Sequence, residues 1–160
     1  MALYYFAYEA NMDAADLQHR CVVRRRSQVR FVSSKPAVLK GYRLVLNVFC
    51  HRREGGILNI LPDPKGTVHG VVYELPAGDV IMARDLAEGD PNAYRIHTVI
   101  VKTAAGKEVS AAVLIAKIKK RTLCRPTEEY VKLVASAARR HRLPSTWVNR
   151  LKKCGKAVDV

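Results

Sequence analysis

Two segments of this chain combine residue types and spacing that could do chemistry. The first is Leu3-Tyr4-Tyr5-Phe6-Ala7-Tyr8-Glu9-Ala10-Asn11-Met12, an aromatic, apolar stretch that runs into a short polar turn and then a helix start. Such a junction presents backbone N–H groups to an anion. The second is Leu86-Ala87-Glu88-Gly89-Asp90-Pro91-Asn92-Ala93-Tyr94, which sets a carboxylate at a helix end beside a turn. Glu88 there can serve as a general base if burial raises its pKa toward working pH. The ordinary alternative is a solvated helix-end acid. Tyr94 and Tyr42 could orient a ligand through their hydroxyls, or be half-buried strand tyrosines. Together the two segments describe a small pocket that holds a substrate on backbone amides beside one acid or base. His51, His69, His97 and His141 show no ligand spacing and read as structural. Pro62-Asp63-Pro64-Lys65-Gly66 has too few glycines, and no following helix, for a phosphate loop.

The elements that must position these residues follow from local pattern. Tyr4 to Tyr8 reads as a strand, and Asn11 as the cap of a short helix over about Asp13 to Arg20. Val29 to Val32 and Ala37 to Phe49 read as strands, with a bulge at Gly41; Ile57 to Leu61 follows. Pro62 to Gly66 reads as a turn into a strand over Thr67 to Leu75, and a helix is expected over about Val80 to Ala87. Tyr94 to Thr103 alternates, with Val99 and Val101 on the side opposite Ile96 and Ile100; Ala104 to Lys107 is a hairpin loop, and Val109 to Ile118 returns. Thr127 caps a helix running to about His141, with acids in its first turn and arginines near its end. Pro144 interrupts, and a last helix covers about Thr146 to Lys153. The order is α+β, around a mixed sheet or barrel.

A chain of 160 residues with 49% hydrophobic and 26% charged residues is globular rather than disordered, and reads as one domain over residues 1–160. No apolar run approaches a bilayer span, and the N-terminus reads as lacking a secretory leader. Cys21, Cys50, Cys124 and Cys154 form no CxxC pair, which fits free thiols in a reducing, cytoplasmic setting. Lys and Arg number 28 against 14 acids, a net charge of +14. Arg20 to Arg53 holds ten basic residues and no acid, and Lys117 to Lys156 holds thirteen against Glu128 and Glu129. Such segments attract polyanions, non-specific nucleic acid among them, or form a solvated basic face.

The whole pattern resembles the gamma-glutamylcyclotransferases. Tyr5-Phe6-Ala7-Tyr8-Glu9-Ala10-Asn11-Met12 is similar to that family's Tyr-Phe-Ala-Tyr-Gly-Ser-Asn-Met opening. The likeness continues in order through Ala37 to Leu44, Gly56 to Pro62, Val68 to Leu75, Glu88-Gly89-Asp90-Pro91 with Tyr94, and Pro126-Thr127-Glu128-Glu129-Tyr130. The resemblance implies a small mixed β-barrel with flanking helices, and release of 5-oxoproline from a small γ-glutamyl substrate. It implies that Tyr8, Glu9, Ala10 and Asn11, with Tyr94, bind the substrate and that Glu88 is the catalytic acid/base. No metal or cofactor is implied, no membrane is involved, and a monomer or homodimer is expected. The departure is Glu9-Ala10 in place of Gly-Ser. If position 9 requires a left-handed backbone, Glu costs on the order of 1–2 kcal/mol there, and its carboxylate lies near the substrate's own. The rival expectation is a catalytically degraded relative that binds RNA or an assembly through its basic faces.

Overall fold

Five strands close into a barrel in the order β1-β3-β2-β4-β5. The computed structural model describes residues 3–23, 30–78, 86–87, 91–117 and 120–154. Strand β1 is Leu3–Ala7, β2 Ser33–Cys50, β3 Gly55–Leu75, β4 Tyr94–Thr103 and β5 Glu108–Ala116. Helix α1 is Ala14–Val23, α2 Glu128–Arg140 and α3 Ser145–Lys153. Strand β1 pairs antiparallel with β3 and parallel with β5, so the barrel is mixed, as expected. Its core gathers Phe6, Leu39, Leu44, Ile60, Val71 and Val113, all nearly or fully buried. Among the described residues no helix is long and apolar enough to cross a membrane, and none of the four cysteines is in a disulfide.

Local chemistry accounts for most boundaries. The alternation of β4 buries Val99 and Val101 and exposes Ile96 and Ile100. Thr127 caps α2, its Oγ1 accepting from the Tyr130 N–H at 3.1 Å, while Glu128 and Glu129 lie at the positive end of the helix and Arg139 and Arg140 at the negative end.

Three expectations need correction. The Pro62–Gly66 turn does not reverse the chain, because β3 continues through it. Opposite it Gly41 sits at φ +86°, and the pairing steps from Lys40↔Thr67 to Tyr42↔Pro62. One glycine in a left-handed conformation therefore faces four residues, Asp63 to Gly66, three more than even pairing holds, and they bulge out of the register instead. Residues 30–32 are not strand, as β2 begins at Ser33; residue 29 lies outside the described residues. Asn11 does not cap α1. A 3₁₀ turn over Ala10–Met12 comes first, so the capping role passes to Asp13, whose Oδ1 accepts from the Asp16 N–H at 2.9 Å. Most of the helix expected over residues 80–87 also lies outside the described residues, although Leu86 and Ala87 are described and fully buried.

Candidate active site

Strand β1 delivers Tyr8 to the barrel end, where the chain must turn sharply. A close approach makes this possible: a Cβ on Gly70 would overlap the Ala7 carbonyl oxygen and the Phe6 ring, so β1 and β3 meet there only because position 70 is glycine. The Met12 N–H bonds the Glu9 carbonyl and the Asp13 N–H bonds the Ala10 carbonyl, both at 2.9 Å. The turn is held from behind as well. The Tyr73 hydroxyl and His141 Nε2 reach the Met12 carbonyl oxygen at 2.9 and 2.8 Å.

Position 9 carries none of the left-handed strain expected of it. Glu9 sits at φ −134°, outside the left-handed region, as the cap of the 3₁₀ turn. Its carboxylate is buried; Oε1 accepts from the Asn11 N–H at 3.3 Å and Oε2 from the Tyr130 hydroxyl at 3.2 Å. Tyr130 in turn accepts from the Leu58 N–H at 3.0 Å, which ties helix α2 to β3 and to the turn. Ala10 is fully buried within the turn.

Asn11 points inward and is the centre of a buried polar network. Its Nδ2 donates to the Tyr5 hydroxyl at 2.8 Å and to the Leu86 carbonyl at 2.9 Å, and its Oδ1 accepts from Arg20. Arg20 is only 1% exposed. Its guanidinium also reaches the carbonyls of Leu86 and Ala87 at 3.3 and 3.4 Å, and Asp16 Oδ2 at 3.0 Å. A buried arginine needs such pairing. Arg53 meets the same Asp16 oxygen at 2.7 Å and lies over the Tyr130 ring. Burial alone would raise the Asp16 carboxyl, but the hydrogen bonds and charges of Arg53 and Arg20 outweigh it and hold the group below its ordinary range.

Tyr5, Tyr8, Glu9, Leu58, Tyr94 and Leu114 enclose a cavity of about 10 Å³. The Tyr8 hydroxyl donates to the Leu114 carbonyl at 2.7 Å. Burial, and then the charge of Glu9, push the Tyr5 and Tyr8 phenols far above their ordinary value, so both stay neutral at any working pH.

The structure thus brings together Tyr8, Glu9, Ala10, Asn11 and Tyr94. Glu88 lies outside the described residues, which end on that side at Ala87. Sequence reading passed over Tyr5, Arg20 and Tyr130 as site residues. Tyr130 closes the Pro-Thr-Glu-Glu-Tyr run and carried a readable signal; Arg20 was one cation among ten. Among the described residues no group of three or more His, Cys, Asp or Glu is placed to hold a metal ion.

A family model described as gamma-glutamyl cyclotransferase, AIG2-like, matches residues 5–133. A solved structure named gamma-glutamyl cyclotransferase is 24% identical with a TM-score of 0.75, over 99% of this chain and 89% of that one. An uncharacterised Homo sapiens protein is 24% identical with a TM-score of 0.73, over 99% and 88%. A yeast gamma-glutamyl cyclotransferase specific to glutathione is 13% identical with a TM-score of 0.63, over 95% and 94%. At these identities the likeness is one of fold. No functionally curated protein matches the chain in sequence.

Proposed function

The chain belongs to the AIG2-like gamma-glutamyl cyclotransferase family, and from that premise we propose that it releases 5-oxoproline from a γ-glutamyl amine or peptide. The observation that carries this reading is the Asn11 Nδ2 bond to the Leu86 carbonyl at 2.9 Å, backed by Arg20. It fastens the turn that follows β1 to the segment that leads into Glu88, across 75 residues of sequence. These are the two segments to which the resemblance assigns substrate binding and acid/base work.

The chemistry asks little of the protein. The substrate's neutral α-amine attacks its own γ-carbonyl; a C–N bond forms as the ring closes, and the bond to the departing amine breaks. Glu88 takes a proton from the attacking nitrogen and returns it to the departing one. Holding the two ends in attack geometry contributes about 7–11 kcal/mol of barrier reduction. Tyr94, on the wall of the cavity, is the residue to which the resemblance assigns a part in holding the substrate. The test is a screen of γ-glutamyl dipeptides, γ-glutamyl amines and glutathione for 5-oxoproline release. Turnover of at least one class is expected. No release from any of them, by a folded protein, overturns the reading.

A further inference from the structure

Strands β2 and β4 close the barrel through Ala37↔Thr103 and Val38↔Lys102, and their pairing stops there. Gly41 follows on β2 at φ +86°, a break in the extended backbone that pairing needs. Strand β4 runs back to Tyr94 with β5 alone beside it. The Ala104 N–H donates to the Pro36 carbonyl at 3.1 Å on the β2 side, and the Thr103 N–H to the Lys107 carbonyl at 2.8 Å on the β5 side. Backbone groups alternate in this way along a strand, so the N–H and C=O of Ile96 and Thr98 point to the β2 side. Among the described residues no strand pairs with them there. Such an edge is a template for another strand.

A cleft of about 350 Å³ lies beside this edge, lined by Tyr42 and Pro62 from β2 and β3 and by Arg95, His97 and Lys117. Those last three side chains are exposed. None of them is in an ion pair among the described residues, whereas Arg20, Arg43, Arg53 and Arg140 all are. Arg95 and His97 lie on one face of β4, and the exposed Ile96 and Ile100 on the other.

These features select an occupant. A second copy of this chain, with its net charge of +14, is repelled by the cations at the edge. The phosphate chain of a nucleic acid meets the cations but brings no donor to the Ile96 and Thr98 carbonyls. A peptide backbone carries a donor and an acceptor at each residue. We propose that the β4 edge docks an extended acidic segment of a partner protein, which adds a strand beside Ile96 and Thr98 and sets its carboxylates against Arg95 and Lys117. The segment that fits alternates acidic with apolar residues, because neighbouring strands match face to face. Main-chain pairing supplies affinity, and the cations choose the partner. None of the residues assigned to the reaction takes part.

Fluorescence anisotropy with the whole protein and a labelled peptide of about six alternating Glu and Val residues tests the proposal. Binding is expected, and it should weaken as salt rises. Arg95→Glu with Lys117→Glu, at two exposed positions, is expected to lower affinity by about 10-fold or more. The same peptide methylated on each backbone nitrogen keeps its charge but cannot donate along the edge. It is expected to bind at least about 10-fold more weakly, and this arm needs no change in the protein. Absence of binding at low salt overturns the proposal, as does equal binding by the methylated peptide or by the charge-reversed protein. A single-stranded RNA of the same charge that competes as well as the peptide also overturns it, because a phosphate chain then satisfies the surface.

Discussion

Replacing Asn11 with alanine removes three contacts from one buried point. Nδ2 leaves the Tyr5 hydroxyl and the Leu86 carbonyl, and Oδ1 leaves the Arg20 guanidinium. Two neutral hydrogen bonds contribute about 0.5–1.5 kcal/mol each, and one to a charged group about 1.5–3 kcal/mol. Arg20 keeps Asp16 and the carbonyls of Leu86 and Ala87, so the expected loss is in the lower part of the summed range, about 2.5–4 kcal/mol. For a chain of this size the fall in Tm is roughly 5–15 °C. Urea unfolding measures it, with the m-value expected to hold, since the surface exposed on unfolding is unchanged. Asn11→Asp keeps the Arg20 contact while it sets an oxygen against the Leu86 carbonyl and takes the donor away from the Tyr5 hydroxyl. A loss below about 0.5 kcal/mol for Asn11→Ala, the scale of an ordinary surface change, refutes the claim that this residue joins the two segments.

Tyr130→Phe removes the hydroxyl between the Leu58 N–H and Glu9 Oε2; a loss of about 1–3 kcal/mol is expected by chemical denaturation, and unchanged stability contradicts the bridge. Gly70→Ala forces β1 and β3 apart at Ala7, and a loss of roughly 1–3 kcal/mol is expected; wild-type stability shows that the approach is less tight than described. Asp16 is held below its ordinary 3.8 by Arg53 and Arg20 against the pull of burial. A depressed carboxyl stabilises the fold above its unfolded pKa, and that stabilisation is lost as pH falls through the folded value. Stability should therefore drop below about pH 4, and Asp16→Asn should flatten that acid limb; an identical limb in Asp16→Asn sinks the assignment.

What was legible in the sequence was local. Thr127 and the acids after it announce α2 because capping and the helix dipole act within one turn. The alternation around Val99 and Val101 announces the inner face of β4 because strand side chains have a period of two. The Tyr8–Asn11 turn was recognisable by its place after an aromatic strand. What escaped was set by partners far along the chain. Arg20 and Arg53 lie in a segment that reads as a basic face, yet both bind Asp16 internally. Arg140, in the other basic segment, pairs with Asp13 at 2.6 Å. Pro62 to Gly66 carries every local mark of a turn, but Gly41 on the facing strand decides that it bulges. Strain at Glu9 was inferred from a residue type in a motif; at φ −134° the backbone there lies outside the left-handed region.

Release of 5-oxoproline and of free amine, followed together for wild type and for Glu88→Gln on the best γ-glutamyl substrate, tests the central claim most directly. Equal amounts of the two products are expected from wild type, with a loss of about 10²–10⁴-fold or more in Glu88→Gln, because glutamine cannot accept the amine's proton. Equal rates from the two proteins, or amine released with glutamate in place of 5-oxoproline, would contradict it.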